Sequence, residues 1–211
     1  MNITILGAGN MGSAFVKQLT RAGHTVRVTT RNMEKARALA AAHRGAIAAA
    51  PDEALADSSV VIVATGYADA VAALESVGSL EGKVVIDITN PLSADYMSLT
   101  IGHDTSAAEE IAKAVPGAQV VKAFNTVFAD VLAEGAAFSS GQTVPVFLAS
   151  DSERARQVAR TLVESMGFKA VDAGPLRNAR YLEPLAGLNI YLGYGAGHGT
   201  AIAPTWIRKA A

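Results

Sequence analysis

The chain has 211 residues, 50% of them hydrophobic and 18% charged, which excludes a disordered polymer and leaves enough apolar mass to bury a sizeable core. It contains no cysteine, so disulfide scaffolds, thiolate metal sites, iron–sulfur clusters and cysteine nucleophiles are excluded together. Eighteen Lys and Arg against nineteen Asp and Glu give a net charge of −1, without the basic field that gathers nucleic acid or acidic lipid.

Met1-Asn2 runs directly into Ile3-Thr4-Ile5-Leu6, with no basic segment and no cleavage pattern. The least polar long stretch, Leu185 to Ile207, is interrupted by Asn189, His198 and several glycines. The expectation is a cytoplasmic protein without a membrane span. Short β-branched runs at Asn2–Gly7, Thr25–Thr30, Ala46–Ala48, Val60–Ala64, Val84–Ile88, Gln119–Ala123, Val144–Ala149 and Lys169–Ala173 read as strands. Ala-rich stretches near Met11–Ala22, Met33–Ala42, Ala68–Ser76, Ala107–Val115 and Ser152–Met166 read as helices between them. Pro51-Asp52 opens a further short helix, Gly23 and Gly167 end longer ones, and Asp151 is expected to cap the helix that follows it.

The runs Val60-Val61-Ile62-Val63-Ala64 and Val84-Val85-Ile86-Asp87-Ile88 barely alternate, as in parallel strands covered on both faces. Strand–helix alternation of this length predicts right-handed crossovers. The fold class is therefore α/β, a Rossmann-type doubly wound, mainly parallel sheet. From Pro175 the chain changes character and becomes rich in glycine, predicting a small C-terminal helical lobe. Residues 1–174 are expected to form the dinucleotide-binding domain and residues 175–211 a helical cap.

Gly7-Ala8-Gly9-Asn10-Met11-Gly12 fits G-x-G-x-x-G directly after the first strand and before the first helix. In that setting Gly7 allows the tight turn, Gly9 lets the backbone approach a pyrophosphate, and Gly12 lets helix and strand pack closely. The backbone N–H groups of Asn10 and Met11 at the helix N-terminus then face the phosphates. An NAD-selective site would carry an acid at the end of the second strand. Here that strand ends in Thr30-Arg31, with Arg31 24 residues beyond Gly7. A guanidinium at this place grips a 2′-phosphate and the Thr30 hydroxyl can add a hydrogen bond, so the reading is NADP(H). Glu34 is assigned only to the first turn of the next helix.

Ligands in such sheets lie beyond the carboxyl ends of the strands. The fourth strand ends in Thr65-Gly66-Tyr67, the fifth in Thr89-Asn90-Pro91-Leu92 and the sixth in Phe124-Asn125-Thr126. Thr65, Asn90 and Asn125 suit hydrogen bonding to ribose and nicotinamide, and Pro91 holds Asn90 extended. Asp87 is read as an anchor for neighbouring backbone N–H groups, while the face of Lys122, flanked by Val121 and Ala123, is undetermined. Tyr191, Tyr194 and Trp206 either line an acceptor pocket or pack in the core or against a subunit. No Tyr-x-x-x-Lys pair occurs, and His24, His43, His103 and His198 lack metal-ligand spacing, so no catalytic acid or metal site is assigned. His198 alone falls in the glycine-rich tail. A hydride acceptor that needs no positioned protein acid, such as a flavin or deazaflavin, fits that set.

Gly7–Gly12, Thr30-Arg31, Thr89-Asn90-Pro91-Leu92, the stretch from Val120 to Thr126 and Asp172-Ala173-Gly174-Pro175-Leu176 together resemble NADPH:coenzyme F420 oxidoreductases. They are also similar to the cytoplasmic oxidoreductase domain of six-transmembrane metalloreductases. The resemblance covers essentially the whole chain, although the glycine-rich Gly193–Gly199 stretch departs from the F420 reductase pattern. It implies NADP(H) bound at Gly9–Gly12 and Thr30-Arg31, and hydride exchange with F420, or with FMN or FAD, as second substrate. A homodimer built through the C-terminal segment is implied as well. The alternatives are an NADPH-dependent reductase of a small carbonyl or imine, and an NADPH-binding sensor without turnover.

Overall fold

The unbroken apolar runs are explained by the sheet they build. In β4 (Val60–Val63), Val60 and Ile62 join one core with Ile3, Phe15 and Ile86, while Val61 and Val63 join a second with Leu74, Val85 and Ile111. Both faces are covered, so neither row of side chains has reason to be polar. The computed structural model describes residues 1–138, 141–207 and 209.

β4 sits in a six-stranded sheet with β1 (Asn2–Leu6), β2 (Thr25–Thr29), β3 (Ala46–Ala48), β5 (Val84–Asp87) and β6 (Gln119–Lys122). Every pairing is parallel and the order is β3-β2-β1-β4-β5-β6. This is the doubly wound Rossmann arrangement, whose chain reverses direction across the sheet between β1 and β4. Helices α1 (Asn10–Arg21), α2 (Met33–Ala41), α5 (Ala129–Glu134) and α6 (Glu153–Ser165) contribute to the first core, and α3 (Tyr67–Glu75) and α4 (Ala107–Ala114) to the second. Gly23 and Gly167 take left-handed conformations just past α1 and α6, as their positions predicted.

The last two strands, β7 (Pro145–Leu148) and β8 (Lys169–Asp172), pair in parallel with each other. They meet β6 through an antiparallel bridge in which Lys122 N donates to Ala149 O at 2.9 Å and Ala149 N to Lys122 O at 3.1 Å. Pro175 leads through a 3-10 turn into α7 (Ala179–Ile190) and a π-helical turn at Tyr191–Gly195, which together form the helical lobe. Residues 208, 210 and 211 of the expected cap segment lie outside the described residues. No helix among the described residues is long and apolar enough to cross a membrane.

Two local expectations are corrected. The cap of α6 is Ser152, whose hydroxyl accepts from Ala155 N at 3.1 Å. Asp151 instead accepts from Leu176 N at 3.0 Å and fastens the entry to the lobe. The six-residue α5 was not expected, because Phe128 at its start offers no capping oxygen. It forms because it packs on α1, with Gln18 Nε2 donating to Ala133 O at 3.0 Å.

Candidate active site

The glycine loop is dictated by contacts between backbones. Gly7 has φ +117°, and a Cβ there would lie 2.5 Å from Ala64 O. At Gly12 a Cβ would lie 2.1 Å from Gly7 O, so α1 leaves the sheet too closely for any side chain. Gly9 is different: an added Cβ meets nothing within 4 Å, so the space above it is open. Gly9 is also the N-cap of α1 and has no side chain to accept from the first-turn N–H groups.

Two clefts meet at this loop. The first, of about 420 Å³, is lined by Gly7, Gly9, Thr30, Arg31, Thr65, Gly66 and Asp69 among others. Arg31 follows β2, and its Nη2 donates to Asp69 Oδ2 across the cleft at 3.0 Å. Asn32 caps α2 by accepting from Glu34 N and Lys35 N, which places Glu34 in the first turn of that helix, and Glu34 is not among the residues that line this cleft. The second cleft, of about 630 Å³, is lined by Asn10, Met11, Asn90 and Asn125 together with Ile88, Phe124, Phe128 and Tyr194. The loop carrying Asp95, Tyr96 and Met97 forms part of its wall.

Asn90 and Asn125, from successive strand ends, are locked together. Asn90 Nδ2 donates to Asn125 O at 2.9 Å, and Asn125 Nδ2 donates to Asn90 Oδ1 at 3.0 Å and to Leu182 O at 2.9 Å. Asn125 Oδ1 is buried and has no hydrogen-bond partner among the described residues. The preceding Phe124 is held left-handed at φ 59°, a strained conformation for a bulky residue, and its buried ring packs edge-on against Phe15 at 5.0 Å.

Beside this floor lies a charge cluster. Lys122 is fully buried, and its Nζ donates to Asp87 Oδ2 at 2.7 Å, Thr89 O at 2.6 Å and Glu183 Oε1 at 2.7 Å. All three ammonium protons are used, so the group is a tether. Asp87 Oδ1 also accepts from Thr89 N at 2.8 Å, the anchoring role its position predicted. Glu183 accepts from Ala107 N and Ala108 N at the start of α4, so the excess negative charge meets the positive end of a helix. Burial pushes the Glu183 carboxyl above the usual range, with Lys122 opposing. Register explains what spacing left open: Asp87 and Lys122 are direct partners on β5 and β6, each a charged residue beside an apolar run. Glu183 had no comparable signal.

The sequence-derived residues divide between the two clefts. Thr65 and Gly66 lie with Thr30 and Arg31, whereas Asn90 and Asn125 lie with Asn10 and Met11. Pro91 lines neither cleft; its carbonyl accepts from Thr100 N at 2.7 Å and holds the base of the 92–100 loop. Tyr194 lines the second cleft, edge-on to Phe128 at 5.7 Å. Tyr191, His198 and Trp206 line neither, and Trp206 packs edge-on against Phe147 at 5.1 Å. The aromatic and loop residues Phe124, Phe128, Tyr96 and Met97 were not singled out, because their convergence depends on the tertiary fold.

The chain is similar to known oxidoreductases. Residues 2–91 match the family described as NADP oxidoreductase, coenzyme F420-dependent. The F420-dependent NADP reductase of Methanothermobacter marburgensis is 31% identical over 209 residues, covering 91% of this chain and 92% of that protein. Rat metalloreductase STEAP3 is 28% identical over 183 residues, covering 87% of this chain, which spans only 36% of that relative's length. Among solved structures, a putative F420-dependent NADP reductase from Arthrobacter sp. FB24 superposes with a TM-score of 0.89 at 29% identity, covering 99% of this chain and 100% of that one. Imine reductases such as that of Bacillus cereus share the fold at a TM-score of 0.67 and 22% identity. The chain belongs to the coenzyme F420-dependent NADP oxidoreductase family and is an NADP-dependent oxidoreductase.

Proposed function

We propose that the enzyme transfers hydride between NADP(H) and a flavin or deazaflavin acceptor of the F420 type. The observation that carries the reading is the place of the glycine loop between the two clefts: Gly9 lines one, Asn10 and Met11 the other. A dinucleotide laid over the open face of Gly9 puts its adenosine half in the 420 Å³ cleft and its nicotinamide half in the 630 Å³ cleft.

The residues present fit that coenzyme. Gly7, Gly9 and Gly12 admit the pyrophosphate, and the first-turn N–H groups of Asn10 and Met11 donate to it. Thr30 and Arg31 hold the 2′-phosphate, with Thr65 and Gly66 along the edge of the same cleft. At the other end Asn90, kept extended by Pro91, and Asn125 orient the carboxamide. The unpartnered Asn125 Oδ1 is an acceptor for its N–H. When bound, the nicotinamide supplies or takes up the hydride. The chain's own work is to orient the rings and exclude water, with Ile88, Phe124, Phe128 and Tyr194 as the apolar wall. No side chain is assigned as acid or base.

Likeness to the F420-dependent NADP reductase of Methanothermobacter marburgensis supports F420 as acceptor, and FMN and FAD are ring systems of the same shape. The assignment of residues 1–174 to coenzyme binding and 175–211 to a cap belongs to the same reading. Exposed Tyr181, Leu188 and Tyr191 on the lobe support dimerisation through it, in a cytoplasmic enzyme. The test is loss of the nicotinamide absorbance when purified protein and NADPH are mixed separately with F420, FMN, FAD and a panel of carbonyls and imines. Turnover with F420 or a flavin is expected. Turnover confined to the carbonyl and imine panel, or tight binding with no turnover on any acceptor, would contradict it.

A further inference from the structure

We infer that Asp69 sets how strongly the site distinguishes NADPH from NADH, by holding the guanidinium that a 2′-phosphate must take over. The inference rests on the reading of Arg31 as the 2′-phosphate ligand. Arg31 follows β2, and Asp69 stands in the first turn of α3, which follows β4; both line the adenosine-side cleft from opposite lips. Arg31 Nη2 and Asp69 Oδ2 are 3.0 Å apart, with the two side chains 88% and 50% exposed.

The pair has little work to do for the fold. Asp69 already faces the N-terminal end of α3, where an acid is favoured without any partner, and Asp69 N is satisfied by Gly66 O. An ion pair this open to water adds little to stability. Its position matters more. A phosphate dianion placed on Arg31 arrives next to a carboxylate already bonded to the same guanidinium, so the two anions compete and repel. A ribose hydroxyl brings no charge and leaves the pair intact. Asp69 therefore weakens binding of the phosphorylated coenzyme and spares the other.

The experiment is calorimetric titration of NADPH and NADH into wild-type protein, Asp69→Asn, Asp69→Ala and Arg31→Ala, with thermal melts to check folding. Both Asp69 variants should bind NADPH about two- to fivefold more tightly, the range an exposed ion pair commands, with NADH affinity unchanged. The gain should shrink as salt is raised. If Asp69→Asn leaves NADPH affinity unaltered, weakens it, or tightens both coenzymes alike, the inference fails. The Arg31→Ala arm separates this from the underlying reading. Selective loss of NADPH affinity there keeps Arg31 as the phosphate ligand whatever Asp69 does, whereas equal loss of both coenzymes removes that role and the inference with it.

Discussion

At Gly12 the backbone leaves no room for a methyl group. The obstacle at 2.1 Å is the carbonyl of Gly7, which is itself fixed by Gly7 N donating to Thr29 O at 2.9 Å. Gly12→Ala must push α1 away from β1, and by overpacking alone should cost about 1–3 kcal/mol of stability. It should also displace the first-turn N–H groups and weaken NADPH. A denaturant melt and an NADPH titration check this; a variant as stable as wild type with unchanged affinity would show that the loop is not held as described. That the glycine loop and Arg31 sit at consecutive strand ends was legible in the sequence, because glycine spacing and strand endings are local signals, and the structure brings them to one cleft. The orphaned oxygen of Asn125 was not, since its environment depends on left-handed Phe124 and on Leu182 from the lobe.

The element that most needs explaining is α7, which is bound to the sheet by charge. Lys122 joins β5, β6 and α7 through Asp87 and Glu183, and Asn189 Nδ2 adds a bond to Thr126 O at 3.2 Å. Three buried charges are costly unless mutually satisfied, and here each is bonded to another charge and to backbone. Burial raises the Glu183 carboxyl above its ordinary value of 4.5, so the folded state binds its proton more tightly than the unfolded chain does. The stability contributed by this group is then fully present below 4.5 and is lost as pH rises through the raised value. Glu183→Gln lacks that titration. Wild type should therefore gain stability relative to the variant as pH is lowered toward 4.5, measured by thermal melts; a difference independent of pH would contradict the assignment. Elements were legible where periodicity and length were strong, as in β4, β5 and α6. The face of Lys122 could be settled only by inter-strand register, and α5 only by its packing on α1.

Over the whole molecule, strand order decides what the enzyme can do. Reversal between β1 and β4 leaves the glycine loop with a cleft on either side, one ending in a cation and the other walled by aromatic and aliphatic side chains. The alternation of strands and helices predicted this sheet, including its parallel sense, because buried parallel strands write unbroken apolar runs. The antiparallel seam between β6 and β7 left no such trace. On the proposed function, the apolar cleft beside Asn125 is where the two rings would meet without water between them. The most direct test of this account uses NADPH deuterated at both C4 positions, with F420 as acceptor and mass spectrometry of the reduced product. Direct ring-to-ring transfer predicts one deuterium on the deazaflavin carbon that receives hydride. A reduced product carrying only solvent hydrogen there, or no reduction of F420, would contradict it.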